Sequence, residues 1–347
     1  MPQAEARAAT VPPDQSRAIY KAFVIHAIVA YTVGRMNDVK STGELAHPAV
    51  TAADGYRLAA SFFNAGDTDT VVLINSATGV PRRFYQRFAT HLRNHGWHVV
   101  TYDYRGIGES RPRSLRGFEA RMRDWALLDM TAMVDWITSE IAPERLFVVG
   151  HSYGGQTIGM LENGHRVDAV VGVSAQSGYW AVQGGGEPFK VRIIVTILIP
   201  LLARLFGYFP WSRFARGEDL PKGVALEWAA WCRNRNYLLD DRTLPLERYQ
   251  SFSAPMLAYS IEDDNWGTSR AVDEMMRAYA NVERRHLRPS DYGLARLQHM
   301  GYFREGSEQM WQEAIDWLNK AAPPAAGNVA PSDDRTSTAG FVQTSGR

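Results

Sequence analysis

The chain has 347 residues, 45% hydrophobic and 22% charged, enough for one large α/β domain carrying an insertion or for two domains of roughly 100–200 residues. Its 38 Lys+Arg balance 37 Asp+Glu, so a formal net charge of +1 leaves no basic footprint for nucleic acid. The single cysteine, Cys232, excludes an internal disulfide and a CxxC metal site and fits a reducing, cytoplasmic setting.

In chain order, residues 1–17 are rich in Ala, Pro, Ser and Thr and read as a disordered tail, as do 322–347. Ala22 to Val33 is apolar but only about a dozen residues long and carries His26, too short for the roughly 20 a membrane span needs. YTVGRMND after it is a poor signal-cleavage context, and with Met36 just beyond, residues 1–35 read as an extension or an over-long start. Residues 49–63 read as a strand, an Asp-Gly turn and a second strand. TVVLINS (70–76) is a buried-type strand, followed by a helix over 82–92 and a strand over 97–104. A long helix is expected from Phe118 to Ser139, a strand over 145–150, and a helix over 153–161. Strands at 169–175 and 255–261, a helix near Arg270–Ala280, a strand near Val282–Leu287 and a helix around Gln309–Leu318 complete the series. This alternation predicts a mostly parallel sheet covered on both faces. Ile193 to Leu202, with Pro200 inside it, reads as a buried or cap helix.

At one strand-to-helix junction stands Gly150-His151-Ser152-Tyr153-Gly154, a G-x-S-x-G segment preceded by LFVV. Such a turn lifts a serine hydroxyl above the sheet, and its glycines let strand and helix backbones approach closely. The pattern alone occurs widely by chance; the strand before it and the helix after it give it meaning. Serine needs a base to take its proton and an acid to orient that base, in the chain order Ser, Asp or Glu, His. Downstream histidines are His165, His286 and His299. His165 reads as a cationic cap at a helix end and His286 as a sheet-face residue, which leaves His299, in a loop before the final helix, as base. The acid is expected after strand 255–261, where Glu262, Asp263 and Asp264 follow one another and at least one serves as a helix cap. Asp264 is preferred and Asp263 is the alternative, at spacings of 112 residues from Ser152 and 35 to His299 for the former.

Over roughly residues 47–320 the chain resembles the α/β-hydrolase superfamily, through YDYRGIGES (102–110), GHSYGG (150–155) and HMGYF (299–303). With NSATGV (75–80) and the Trp228–Cys232 segment, it is similar to a bacterial group of predicted hydrolases near the serine aminopeptidase and monoacylglycerol lipase branch. The resemblance implies Ser152 as nucleophile, Asp264 as orienting acid and His299 as general base. The oxyanion donors are then the backbone N–H of Tyr153 and one from the loop after 70–76, where Asn75-Ser76-Ala77-Thr78-Gly79 departs from the common His-Gly pair and leaves Ala77 and Thr78 open. The Arg105-Gly106-Ile107-Gly108 loop lacks a dinucleotide fingerprint, and neither HExxH nor a Walker-A pattern occurs, so no cofactor or metal is expected.

Residues 178–250 form an insertion rich in aromatics, with Trp180, Trp211, Trp228, Trp231, Phe206, Tyr208, Phe209 and Phe214. They are expected to make a helical cap over the serine, most of these rings packing the cap itself and some facing a partly apolar substrate. The expectation is a cytoplasmic serine hydrolase of small acyl substrates, with no nucleic-acid partner and no integral membrane span. An acyltransferase or peptidase on the same triad, or a binding protein that has lost catalysis, are the rivals.

Overall fold

A computed structural model of the chain describes residues 45–183, 188–213 and 217–323. The expectations for residues 1–17, Ala22–Val33, the 1–35 start and the tail beyond 323 lie outside the described residues, as does Phe214.

Nine strands form one sheet: β1 (Leu45–Ala46), β2 (Ala49–Thr51), β3 (Arg57–Phe63), β4 (Thr70–Asn75), β5 (His98–Tyr102), β6 (Arg145–His151), β7 (Ala169–Val173), β8 (Met256–Ile261) and β9 (Val282–Leu287). Their order is β1-β3-β5-β4-β6-β7-β8-β9, with β2 also paired to β3. β1, β2 and β5 run antiparallel to β3, and every pairing from β5 to β9 is parallel.

The apolar runs of β4 to β8 follow from this placement, because a parallel sheet with helices on both faces buries every side chain of its central strands. Val71, Leu73, Leu146, Val148, Val170 and Met256 point into one core, and Val72, Ile74, Phe147, Val149, Val171 and Leu257 into the other. α1 (Gln86–Asn94) and the last helix, α7 (Glu308–Ala321), close the second core with Phe88, Leu92, Trp311 and Ile315. A helical run over 122–141, α2, closes the first with Trp125, Met130, Met133 and Ile137. α2 starts later than periodicity predicts because the Asp124 carboxylate accepts the Arg121 amide at 2.7 Å, and it ends at Ala142, whose φ of 51° is left-handed.

The helix after the G-x-S-x-G turn is much shorter than the expected 153–161. α3 covers Tyr153–Gln156 and a separate 3-10 turn covers Ile158–Met160. Gly154, Gly155 and Gly159 weaken a helix here, and the Tyr249 and Tyr279 hydroxyls donate to the Gln156 carbonyl at 2.8 and 2.9 Å, drawing it out of the helical ladder. His165 therefore sits in its own 3-10 turn, Gly164–Arg166, and not at a helix end.

Between β7 and β8 the chain leaves the sheet. It forms a helical run over 188–206, α4, in which Pro188–Ile193 and Ile199–Phe206 flank a π turn, Ile194–Leu198. α5 (Lys222–Trp231) packs against α4, and Trp211 stacks on Trp228 with ring centroids 5.3 Å apart. Val195, Ile199 and Ala203 of α4 are buried, whereas Ile193, Ile197 and Leu201 are exposed, so the Ile193–Leu202 stretch is buried along one face only. α6 (Ser269–Met276) follows β8. Among the described residues no helix is long and apolar enough to cross a membrane.

Candidate active site

Ser152 lies between β6 and α3 at φ 51°, ψ −117°, a conformation that costs of order 1–3 kcal/mol and must be imposed by its surroundings. Its amide donates to the Val173 carbonyl at 2.9 Å, pinning the turn to β7. A Cβ on Gly150 would stand 2.5 Å from the Gly154 carbonyl oxygen, and one on Gly154 would run into the Asn75 backbone. The turn closes because both positions lack side chains. Tyr153 is buried against Trp125 and Tyr104, and its hydroxyl donates to the Met122 carbonyl at 2.6 Å.

Asp264 follows β8 and is fully buried, and its Oδ2 lies 2.7 Å from His299 Nδ1. Its Oδ1 accepts the amides of Trp266 and Gly267 at 2.8 Å each. Burial pushes this carboxyl up, yet the His299 ring, the hydrogen bond to it and the Gly267 amide together hold it down at about 2. Asp263 does different work: its two oxygens accept the backbone amides of Leu297 and Gln298 at 3.0 and 2.8 Å. It thereby anchors the segment in which Gln298 adopts φ 55° just before His299. His299 sits in a short helical turn, Gln298–Gly301, where an irregular loop is the sequence expectation. His286 is on β9, with its Nδ1 2.9 Å from the Ser260 hydroxyl.

Several groups at the site are not evident from sequence. Ser152 Oγ donates to Gln176 Oε1 at 3.4 Å, Gln176 being a buried residue just after β7. His151 is fully buried and carries a chain of hydrogen bonds. The Ala77 amide donates to Tyr85 Oη at 2.8 Å, the Tyr85 hydroxyl meets His151 Nδ1 at 2.9 Å, and His151 Nε2 meets the His299 carbonyl at 2.9 Å. A carbonyl only accepts, so His151 carries its proton on Nε2 and takes the Tyr85 O–H at Nδ1. One buried ring thus ties the loop after β4, the serine turn and the His299 segment together. The same chain commits the Ala77 amide, whereas the Thr78 amide donates to no group among the described residues. The Tyr153 amide opens α3 and has no helical carbonyl to pair with.

Backbone strain marks the same place. Five non-glycine residues among those described have positive φ: Ala142, Ser152, Ser174, Tyr237 and Gln298. Ser152 is the serine of the turn, Ser174 packs beside Asp264 and Gly267, and Gln298 precedes His299. Strain of this kind persists where the surrounding structure over-determines it, as at functional sites.

A family model described as the Alpha/beta hydrolase family matches residues 71–324. The chain belongs to that family. It is 27% identical over 308 residues to the quorum-quenching protein AidA of Acinetobacter baumannii, covering 83% of this chain and 93% of that protein. In structure it is similar to a soluble variant of the monoglyceride lipase of Saccharomyces cerevisiae, with TM-score 0.57, 16% identity and coverage of 81% and 98%. The esterase Pf2001 of Pyrococcus furiosus aligns with TM-score 0.53, 16% identity and coverage of 82% and 92%.

In this family member His151 also sets an acid limit on stability. Burial, and then the neighbouring His299, push its ring down to about 3 from an ordinary 6.5. Between those values the unfolded chain binds a proton that the folded chain refuses, so stability falls as pH drops from about 6.5 toward 3. His151→Asn is expected to flatten the pH dependence of stability across this range, measured by urea unfolding at a series of pH values.

Proposed function

We propose that the chain is a serine hydrolase that cleaves an ester, or a related acyl bond, of a small and partly apolar substrate. The observation that carries this reading is the 2.7 Å contact between His299 Nδ1 and the buried, ionised Asp264, on the same rim of the sheet as the strained Ser152. In this reading Asp264 holds the His299 tautomer that presents Nε2 to solvent and to the serine, and it stabilises the imidazolium when the ring takes a proton. The Ser152 hydroxyl turns from Gln176 to His299, gives up its proton and attacks the acyl carbonyl. The oxyanion forms between the amides of Tyr153 and Thr78, each such donor being worth about 2.7–4 kcal/mol in the transition state. His299 then returns the proton to the leaving group, and water, activated by the same ring, releases the acid from Ser152.

In this reading residues 47–320 form one hydrolase domain with residues 178–250 as its cap. Most cap aromatics serve packing: Trp231 is buried with its Nε1 donating to Asp241 at 2.9 Å, and Trp211 and Trp228 stack on each other. A fluorophosphonate probe tests the nucleophile. It is expected to label the wild-type chain at Ser152 and to leave Ser152→Ala unlabelled; intact wild-type protein that resists the probe would sink the proposal and favour a binding role.

The 27% identity to a quorum-quenching protein across most of both chains favours one extension, that a small signal molecule is the substrate. A screen of acyl esters graded by chain length, run with candidate signal molecules and with added alcohols, thiols and amines, separates hydrolysis from acyl transfer and from peptidase action.

A further inference from the structure

α4 turns an apolar face outward. Phe189, Ile193, Ile197, Leu201 and Leu205 are 65%, 42%, 57%, 57% and 67% exposed, and they follow one another at intervals of four residues. In an α-helix each such step overshoots a full turn by about 40° and would wind the stripe around the axis. The π turn at Ile194–Leu198 holds more residues per turn and offsets that drift. The opposite face is docked, with Val195, Ile199 and Ala203 buried and the Arg233 guanidinium donating to the Val195 and Ala229 carbonyls at 3.1 and 2.9 Å. The stripe is therefore the free side of a well-seated helix.

Charge decides what fits it. Between Glu187 and Glu218 the sequence carries Lys190, Arg192, Arg204, Arg213 and Arg216 and no acid. Lys190, Arg192 and Arg204 are exposed on α4 beside the stripe. A second copy of the chain would set these cations against themselves, whereas an anionic bilayer surface offers both an apolar layer and the opposite charge. A cationic helix with one apolar face, too charged to span, is the form that lies in the membrane interface.

We propose that α4 docks the chain on anionic lipid surfaces, with Phe189, Ile193, Ile197, Leu201 and Leu205 inserted among the acyl chains and Arg192 and Arg204 at the headgroups. This docking stands apart from the hydrolytic reading and holds whether or not Ser152 is a nucleophile.

Flotation of the full-length protein with vesicles of phosphatidylcholine, and of phosphatidylcholine mixed with phosphatidylglycerol, tests it. The wild-type chain is expected to float with the mixed vesicles and to do so less at high salt. Ile197→Ser/Leu201→Ser/Leu205→Ser should weaken binding by about tenfold or more without lowering Tm, since all three side chains are exposed. Arg192→Gln/Arg204→Gln should weaken it several-fold. Wild-type protein that floats with neither vesicle, equal binding to both kinds, or a triple variant that binds like the wild type would each overturn the proposal. So would a wild-type dimer in light scattering that the triple variant converts to monomer, because a second copy would then cover the stripe.

Discussion

Replacing His299 with alanine is expected to lower kcat on any ester the chain turns over by about 10⁶-fold, and Asp264→Asn by about 10⁴-fold. The larger loss follows because in the proposed mechanism the His299 ring alone takes the serine proton. The smaller follows because an amide at 264 still touches Nδ1 but cannot hold the proton there or balance a charged ring. Asp263→Asn is the informative companion. Among the described residues its carboxylate hydrogen-bonds the Leu297 and Gln298 amides and no side chain, so its loss shifts the His299 segment without touching the ring, and a loss no greater than about 10²-fold is expected. Steady-state kinetics with thermal melts of all three variants check this. A loss at Asp263 equal to that at Asp264 would reverse the choice of acid.

The largest expected stability effect lies in the loop after β5. Arg105 Nε bonds Asp129 Oδ1 at 2.7 Å, its amide bonds Asp129 Oδ2 at 2.9 Å, and its Nη1 reaches Asp54 at 2.5 Å. Asp129 is wholly buried: burial pushes its carboxyl up, and Arg105 opposes that push. Arg105→Leu removes the opposing charge and leaves a buried carboxylate alone, a change that costs about 3–5 kcal/mol. The sign with pH follows. A folded-state value raised above the ordinary carboxylate range means that the folded chain holds a proton the unfolded chain releases, so the variant loses further stability as pH rises. Urea unfolding of wild type and variant at acid and mildly alkaline pH should show the gap widening with pH; a constant gap would mean that Asp129 finds another partner.

Much of the architecture is legible in the apolar runs. β4 to β8 are buried on both faces, and continuous runs such as VVLI and LFVV are what that burial demands. Ser152, Asp264 and His299 stand out as candidates because each follows such a run or precedes the last amphipathic helix, and the 2.7 Å contact joins Asp264 and His299, 35 positions apart. The helix after Ser152 is shorter than its local pattern predicts, because the Gln156 carbonyl is claimed by tyrosines 93 and 123 positions away, which no local pattern records. His151 carries no local signal for a related reason. Its role depends on Tyr85 and the His299 carbonyl, both distant in sequence. Gln176 carries no motif at all. The outward face of α4 was hidden in plain composition, since Ile193–Leu202 reads as a buried stretch until the burial of Val195 and Ile199 is seen to leave Ile193, Ile197 and Leu201 outside.

The parallel order of the sheet has a consequence for how the protein is made. Ser152 directly follows β6, whereas His299 comes only after β9, 147 residues later in the chain. During synthesis from the N-terminus the serine turn can form against β4 and β7 long before its proposed base exists. The nascent chain therefore carries a strained but unarmed hydroxyl through most of translation. In the proposed mechanism reactivity arrives only with the closing segment, when Asp263 clasps the 297–298 backbone and the imidazole meets the Asp264 carboxylate.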